Sequence, residues 1–325
     1  MTTRRVATVF GGTGFIGRHV VQRLAQLDYV VRIPSRHPDR ARRQMVQGRV
    51  GQVVPLSVPL SDDAAVARAV TGAEVVVNLI GILAERRAGD FRRVHAEAAG
   101  RIARLSAAAG VSRLVQVSAI GADPNSASAY ARSKAEGEAA VRAAFPRATI
   151  LRPSIVFGAE DAFFNRFAAM SRLLPILPLV GARTRFQPVY VGDVAAAVEA
   201  AVTRPDAPGQ TYELGGPRVA SFQSLMEQML EMLGRRRPVV EIPAGIAKLQ
   251  AKILGHLPNP PLTEDQLLLL RHDNIVSGHC PGRWNSGWHR IRWKRSCHPT
   301  SRATGRRADF REMTEADIVS SIQRD

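Results

Sequence analysis

Short apolar runs alternate with amphipathic stretches through the first half of the chain. Val6–Phe10, Tyr29–Ile33, Val53–Leu56, Glu74–Leu79, Arg113–Val117 and Ala148–Leu151 are runs of four to six residues rich in β-branched side chains, the signature of buried strands. Between them Gly14–Leu27 carries Val20, Val21, Leu24 and Leu27 at helical spacing, and Asp62–Val70, Phe91–Ala109 and Ser128–Ala144 read as further helices. Alternation of this kind predicts βαβ units with right-handed crossovers and a parallel sheet. Beyond Pro153 the alternation loosens. Phe163–Leu174, Val191–Val202, Phe222–Leu233, Ala244–Leu254 and Glu264–Leu270 read as helices between Pro/Gly-rich links. The expected fold class is α/β, a Rossmann-type doubly wound parallel sheet with a small C-terminal lobe. Its expected divisions are a dinucleotide-binding domain over 1–215 (core 4–155, later elements interleaved with the lobe), a small helical lobe over 216–277, then 278–310 and a tail over 311–325.

The loop after the first run holds Gly11, Gly12, Gly14 and Gly17. A pyrophosphate site needs a tight turn, backbone close to the ligand and a helix N-terminus aimed at it. A flexible turn has the same glycines, but here a strand precedes and a helix follows, which is the context the motif requires. Gly11, Thr13, Gly14, Phe15, Ile16 and Gly17 are therefore the expected cofactor loop. No acid follows the second strand, where one would bind a ribose 2′-OH; Arg32, Ser35 and Arg36 stand there instead. Those groups suit a 2′-phosphate, which makes NADP(H) the expected cofactor over NAD(H).

This combination resembles the extended and atypical short-chain dehydrogenase/reductase superfamily over residues 4–215. Gly11-x-x-Gly14-x-x-Gly17 is similar to its cofactor loop, and Asn78-Leu-Ile-Gly81 to its strand-end motif. Leu151-Arg-Pro-Ser-Ile-Val-Phe-Gly158 is similar to the stretch that in the family runs beside the nicotinamide, so the resemblance adds Asn78, Gly81 and Pro153 to the expected cofactor residues.

Tyr130 and Lys134 lie four apart at a helix start, 12 residues after Ser118 at a strand end. Residues four apart share a helix face, and a nearby ammonium lowers a phenol's pKa, making it a usable proton donor or acceptor. An ordinary helix-surface pair has the same spacing. The resemblance implies the superfamily's Ser118/Tyr130/Lys134 catalytic set, with Lys134 also on the nicotinamide ribose. Where the superfamily often carries an Asn, this chain has Val94-His95-Ala96; His95 is either a proton relay or a satisfied core histidine, and the second is the expectation.

A narrower resemblance rests on Ile33-Pro-Ser-Arg36, Val77-Asn-Leu-Ile-Gly81, Phe157-Gly-Ala-Glu-Asp161, Phe164-Asn-Arg-Phe167 and Gln187-Pro-Val-Tyr-Val-Gly-Asp193. Together these resemble the branch that contains the NADPH-carrying accessory subunit of respiratory complex I and its bacterial relatives. It implies a tightly held NADPH and complex I subunits as partners. The alternative is a free NADP(H)-dependent oxidoreductase or epimerase acting on a small carbonyl, sugar or quinone.

Composition trims the remaining classes. At 45% hydrophobic and 22% charged the chain is neither disordered nor collagen-like. No apolar run reaches the roughly 18 residues of a membrane-spanning helix, and two cysteines make no disulfide framework. Met1-Thr-Thr-Arg-Arg leads directly into a strand without a signal-peptide core, which predicts a cytoplasmic protein, at most peripheral on the inner face of the plasma membrane. Ile242–Leu257, with Ile246, Leu249, Ile253 and Leu254 beside Lys248 and Lys252, could lie on such a surface or form a core-facing lobe helix. The formal charge of +17 points at first to nucleic acid. Yet 41 of the 45 cations are Arg, as a GC-rich gene produces, and eight of the 45 Lys and Arg fall between Gly278 and Arg307, where there is no acid.

That same stretch collects Trp284, Trp288, Trp293, Cys280, Cys297, His289 and His298. The cysteine and histidine spacings are not those of zinc ligands, so no metal is expected, and no nucleic acid either. Read one base earlier, Trp293–His298 permits Val-Glu-Ala-Ile-Leu-Pro, and Pro299–Phe310 permits a sequence similar to the C-terminal stretch of the complex I-related branch. Two compensating frameshifts, in the gene or its sequencing, are therefore expected over 278–310, with a poorly packed segment as the consequence.

Overall fold

The structure, a computed structural model, describes residues 5–243, 245 and 263–277. The expectations for 278–310, and nearly all of the Ile242–Leu257 stretch, lie outside those residues. The chain opens as β1 (Val6–Phe10), α1 (Phe15–Gln26), β2 (Val30–Ser35), α2 (Pro38–Arg42), β3 (Val53–Ser57), α3 (Asp63–Val70) and β4 (Val75–Asn78). It continues through α4 (Ala98–Ala108), β5 (Arg113–Val117), α5 (Ala129–Ala144), β6 (Thr149–Pro153), β7 (Val156–Phe157), α6 (Ala162–Leu173) and β8 (Leu177–Leu179). Then come β9 (Arg185–Phe186), β10 (Val189–Tyr190), α7 (Val191–Thr203), β11 (Thr211–Leu214), β12 (Ala220–Ser221), α8 (Phe222–Met232), β13 (Val239–Glu241) and a last helix, Glu264–Leu269.

Seven strands form one sheet in the order β11-β6-β5-β4-β1-β2-β3, every neighbouring pair parallel. The chain winds outward from β1 to β3, then returns to β4 on the other side of β1. The connections after β1 and β4 therefore lead to helices on opposite faces, α1 on one and α4 on the other, and the carboxyl ends of these two strands are the switch point where ligands bind in such sheets. The alternation of side chains along each strand feeds two layers. Val75 and Val77 join α1 and α7 on one face, through Val20, Val21, Leu24, Val194 and Val198. Val76 and Leu114 face α3, α4 and α5 on the other, through Val66, Val70, Ile102 and Val141. The doubly wound class expected from the sequence is the one observed.

β11 was not among the expected strands. It is short and carries Glu213, a residue type that argues against a buried strand. Glu213 is nonetheless buried, because Arg152 on β6 lies 3.9 Å away and Ser277 donates to it from both N–H and Oγ, at 2.7 and 2.8 Å. Arg152 in turn makes a bidentate pair with Glu138 on α5, at 2.8 and 2.7 Å. The lobe gathers α6, α8 and the short strands around an aromatic cluster of Phe157, Phe164, Phe186, Tyr190 and Phe222, on which Phe15 and Ile16 also pack. Among the described residues no helix is long and apolar enough to cross a membrane.

Candidate functional site: a dinucleotide crevice at the sheet's switch point

The turn after β1 is built to let backbone approach backbone. Gly11 has φ +80°, and a Cβ there would stand 3.1 Å from the Leu79 carbonyl carbon in the loop after β4. At Gly17 a Cβ would meet the Gly11 carbonyl oxygen at 2.1 Å, so only glycine lets α1 start against the turn. The helix N-cap, Gly14, contributes no side-chain hydrogen bond, which leaves the first-turn N–H groups without a side-chain acceptor. With the helix dipole behind them, those groups suit an anion at the crevice. Thr13 and Gly14 lie on the solvent side of the turn, Gly14 exposed, while Phe15 and Ile16 face the lobe.

The three residues expected around a 2′-phosphate separate. Arg32 points toward α3, where its Nη1 donates to the Thr71 carbonyl at 2.6 Å and the Ala69 carbonyl at 3.3 Å. It closes the helix C-terminus and is not open to a ligand in this arrangement. Ser35 Oγ is shared with His37, donating to its carbonyl and accepting from its N–H, both at 3.1 Å. Arg36 is exposed and makes no hydrogen bond or ion pair among the described residues.

Across the crevice, Asn78 is buried at the end of β4. Its amide donates to Gln116 Oε1 at 2.8 Å and its Oδ1 accepts from the Ile80 N–H at 3.1 Å, which turns the chain toward Gly81. A Cβ on Gly81 would stand 3.2 Å from Lys134 Nζ and 3.6 Å from His95 Nε2. Gly81, His95 and Lys134 therefore meet at one place, three residues beyond Asn78. Pro153 is buried at the end of β6, and its carbonyl accepts from Ile120 N–H at 3.1 Å, tying β6 to the strand-end loop that holds Ser118.

His95 sits in a π-helical stretch, Arg92–Glu97, with Phe91 stacked on its ring and Tyr130 edge-on at 5.4 Å. Its Nε2 accepts from the Ile82 N–H at 3.0 Å. Ser133 Oγ already donates to the Tyr130 carbonyl, so the 2.9 Å contact to Nδ1 is Nδ1–H donating to Ser133. Both ring nitrogens are thus satisfied in the neutral form. Burial, with Lys134 adding to it, pushes the ring down to about 3. This is the satisfied core histidine the sequence favoured.

Tyr130 and Lys134 share the inner face of α5, the ammonium 5.8 Å from the ring centroid. Burial brings Lys134 down to about 8, opposed by Glu138 one turn on. The expectation that the lysine lowers the Tyr130 phenol is reversed: burial, followed by the Asp265 carboxylate, pushes it up to about 12. Desolvation of the phenolate outweighs an ammonium held this far off. At neutral pH the pair is phenol and ammonium, two proton donors. Ser118, at the carboxyl end of β5, is buried, and its Oγ has no hydrogen-bond partner among the described residues. A buried hydroxyl is normally paired, so this one is poised for a group supplied from the crevice.

Sequence reasoning missed Asp265. From 135 to 137 positions away its carboxylate accepts from Ser128 Oγ at 2.7 Å, Ala129 N–H at 2.6 Å and Tyr130 N–H at 3.2 Å, covering the start of α5. It also missed Gln116, Ser133 and Glu138, which hold Asn78, His95 and Arg152. No group of three or more His, Cys, Asp or Glu that could hold a metal occurs among the described residues.

Residues 7–215 match the model of the NAD dependent epimerase/dehydratase family. The chain belongs to that family. Its cofactor class is a nicotinamide dinucleotide, and the glycine cradle, uncapped helix and unpartnered Ser118 described above fit one. Among characterised relatives, the mitochondrial NADH dehydrogenase (ubiquinone) 1 alpha subcomplex subunit 9 of Arabidopsis thaliana is 39% identical, covering 84% of this chain and 71% of its own. The Mus musculus protein of the same name is 37% identical, covering 85% and 74%. These relatives carry the complex I accessory-subunit branch anticipated from the sequence. The ceramide reductase of Caulobacter vibrioides is 35% identical over 61% of each chain. Among solved structures, that titled gox2253 has a TM-score of 0.65 at 20% identity, covering 84% of this chain and 90% of its own. The dTDP-4-dehydrorhamnose reductase of Bacillus anthracis in complex with NADP has 0.59 at 14%, covering 74% and 85%. At those identities they bear on the fold alone.

Proposed function

We propose that this protein is a complex I accessory-subunit-like member of the family that holds NADP(H) tightly and associates with complex I at the membrane's inner face. The observation that carries the reading is its 35–39% identity to complex I subunits over a span that takes in sheet, crevice and lobe. Arg36, exposed and unengaged at the end of β2, supports the preference for a 2′-phosphate. When bound, the dinucleotide supplies a hydride donor or acceptor at its nicotinamide ring. The chain's own residues bind and orient it: the Gly11–Gly17 turn and α1 toward the pyrophosphate, and Asn78, Gly81, Lys134 and Pro153 toward the nicotinamide end.

A second reading, a free reductase, is favoured by Ser118. Its unpartnered Oγ at the carboxyl end of β5 and the protonated Tyr130 on α5 are the two kinds of donor a carbonyl oxygen needs. Native purification with analysis of released nucleotide, together with native-gel migration, separates the two. NADPH that survives dialysis and a position in the complex I band support the first. Free protein that oxidises NADPH with a carbonyl or quinone, an activity lost in Tyr130→Phe while the dinucleotide stays bound, overturns it in favour of the second.

A further inference from the structure

Residues 263–277 pass from the loop beyond β4, over the start of α5 and along the lobe, to β11. Thr263 begins a capping box with Gln266, whose amide also reaches the Leu83 carbonyl beyond β4 at 3.4 Å. Asp265 covers the start of α5. Asp273 pairs with Arg185, Asn274 accepts from Ser154 Oγ at 2.7 Å, and Ser277 ends on the buried Glu213. The segment thus joins lobe, β4 loop, α5 and β11, and it is the only described part of the chain to place a carboxylate on the turn that carries Tyr130.

We propose that Asp265 is the positioning residue for Tyr130, fixing the first turn of α5 from this strap so that the Tyr130–Lys134 face retains the dinucleotide. Two effects follow from one carboxylate. Three donors converge on it, more than the single bond of an ordinary N-cap, so the turn is held in one position. Its charge also faces the phenol, opposing ionisation together with burial. The other groups around the ring are the Lys134 ammonium, which favours the phenolate, neutral His95, and Phe91 edge-on at 5.7 Å.

Ser128 caps α5 at the Ala131 N–H, so neither variant uncaps the helix: Asp265→Asn keeps one acceptor oxygen for the turn and removes the charge, whereas Asp265→Ala removes both acceptors and the charge. The retention arm rests on the proposed function; the titration arm does not. With Tyr130 replaced by fluorotyrosine, which titrates in a milder range, fluorine NMR of the full chain without nucleotide should show both variants ionising at lower pH than the wild type. Displacement of NADPH by excess NADP⁺ should be about fivefold faster from D265A, the net worth of a lost hydrogen bond expressed as a rate, and less accelerated from D265N, which keeps one acceptor oxygen. Unchanged titration in D265N overturns the electrostatic part, and D265N alone decides it should D265A fail to fold. Equal NADPH release from D265A and wild type overturns the positioning. Protein that binds no dinucleotide in any form overturns the proposed function and leaves the titration result standing.

Discussion

Gly17→Ala tests the cradle most directly. The added Cβ would sit 2.1 Å from the Gly11 carbonyl oxygen and 2.7 and 2.8 Å from the Gly12 Cα and carbonyl carbon. A carbon–oxygen contact needs about 3.3 Å, so the turn and α1 must separate by roughly 1.2 Å. All three obstructing atoms are backbone, which no rotamer change can move. Overpacking costs about 1–3 kcal/mol, and here the upper end applies, a fall in Tm of roughly 4–6 °C for a chain of this size. The same displacement carries the first-turn N–H groups out of hydrogen-bonding range of a pyrophosphate. Losing even one charge-assisted bond of about 1.5–3 kcal/mol and weakening its neighbours predicts at least 100-fold weaker binding.

Gly14→Ala is the control. Its Cβ would meet only the Gly11 oxygen, at 3.2 Å, and its φ of −80° suits any residue. The fold should lose less than about 1 kcal/mol, while a methyl at this exposed position stands where the pyrophosphate must approach. Thermal melting without nucleotide, and calorimetric titration with NADPH, read the two effects separately. Gly17→Ala that melts and binds like wild type would refute the packing argument. Gly14→Ala with full affinity would show that the ligand does not approach this turn.

Arg36→Ala should weaken NADPH about tenfold or more and leave NADH nearly unchanged, because only the former carries the phosphate. Arg32→Ala should instead lower Tm with little change in that ratio, since its guanidinium closes α3; competition binding and melting curves distinguish the two. His95 is held down to about 3 when folded, against an ordinary 6.5 in the unfolded chain. The unfolded state therefore binds the extra proton below pH 6.5, and stability from the neutral ring is present above that pH and lost as pH falls toward 3. At pH 5 the loss is about 2 kcal/mol, so the difference in urea midpoint between pH 7 and pH 5 should shrink in His95→Gln. An unchanged difference would mean that His95 is not the group responsible.

What was legible in the sequence was what local pattern determines. The runs Val75–Val77 and Arg113–Val117, the Gly11–Gly17 turn and the helical stripe Val20–Leu24 each announce themselves within about ten residues, and the sheet follows from their alternation. What was illegible depends on partners far along the chain. Arg32 and Arg36 are equivalent in sequence, yet only packing against α3 reveals that Arg32 is committed to Thr71 and Ala69. Glu213 reads as ill suited to a buried strand until its actual neighbours, Arg152 and Ser277, are in view.

The acid–base state of the candidate site is the sharpest case. Spacing alone puts Lys134 beside Tyr130 and predicts a lowered phenol; the sign is set instead by two things spacing does not contain, the burial of the ring and a carboxylate from residue 265. A phenol driven upward is a poor base and remains a competent hydrogen-bond donor across the physiological range. The two readings of the site diverge on this point. Retention of a dinucleotide needs Tyr130 and Lys134 only as fixed donors, which their protonated states supply at neutral pH. Oxidation of an alcohol needs the phenolate, and so becomes faster as pH rises, whereas reduction of a carbonyl needs the phenol and does not. If turnover is found, its direction and pH profile should follow that asymmetry, reduction persisting at neutral pH where oxidation is slow; a neutral-pH oxidation as fast as the reduction would mean that Tyr130 ionises far below the value its surroundings impose.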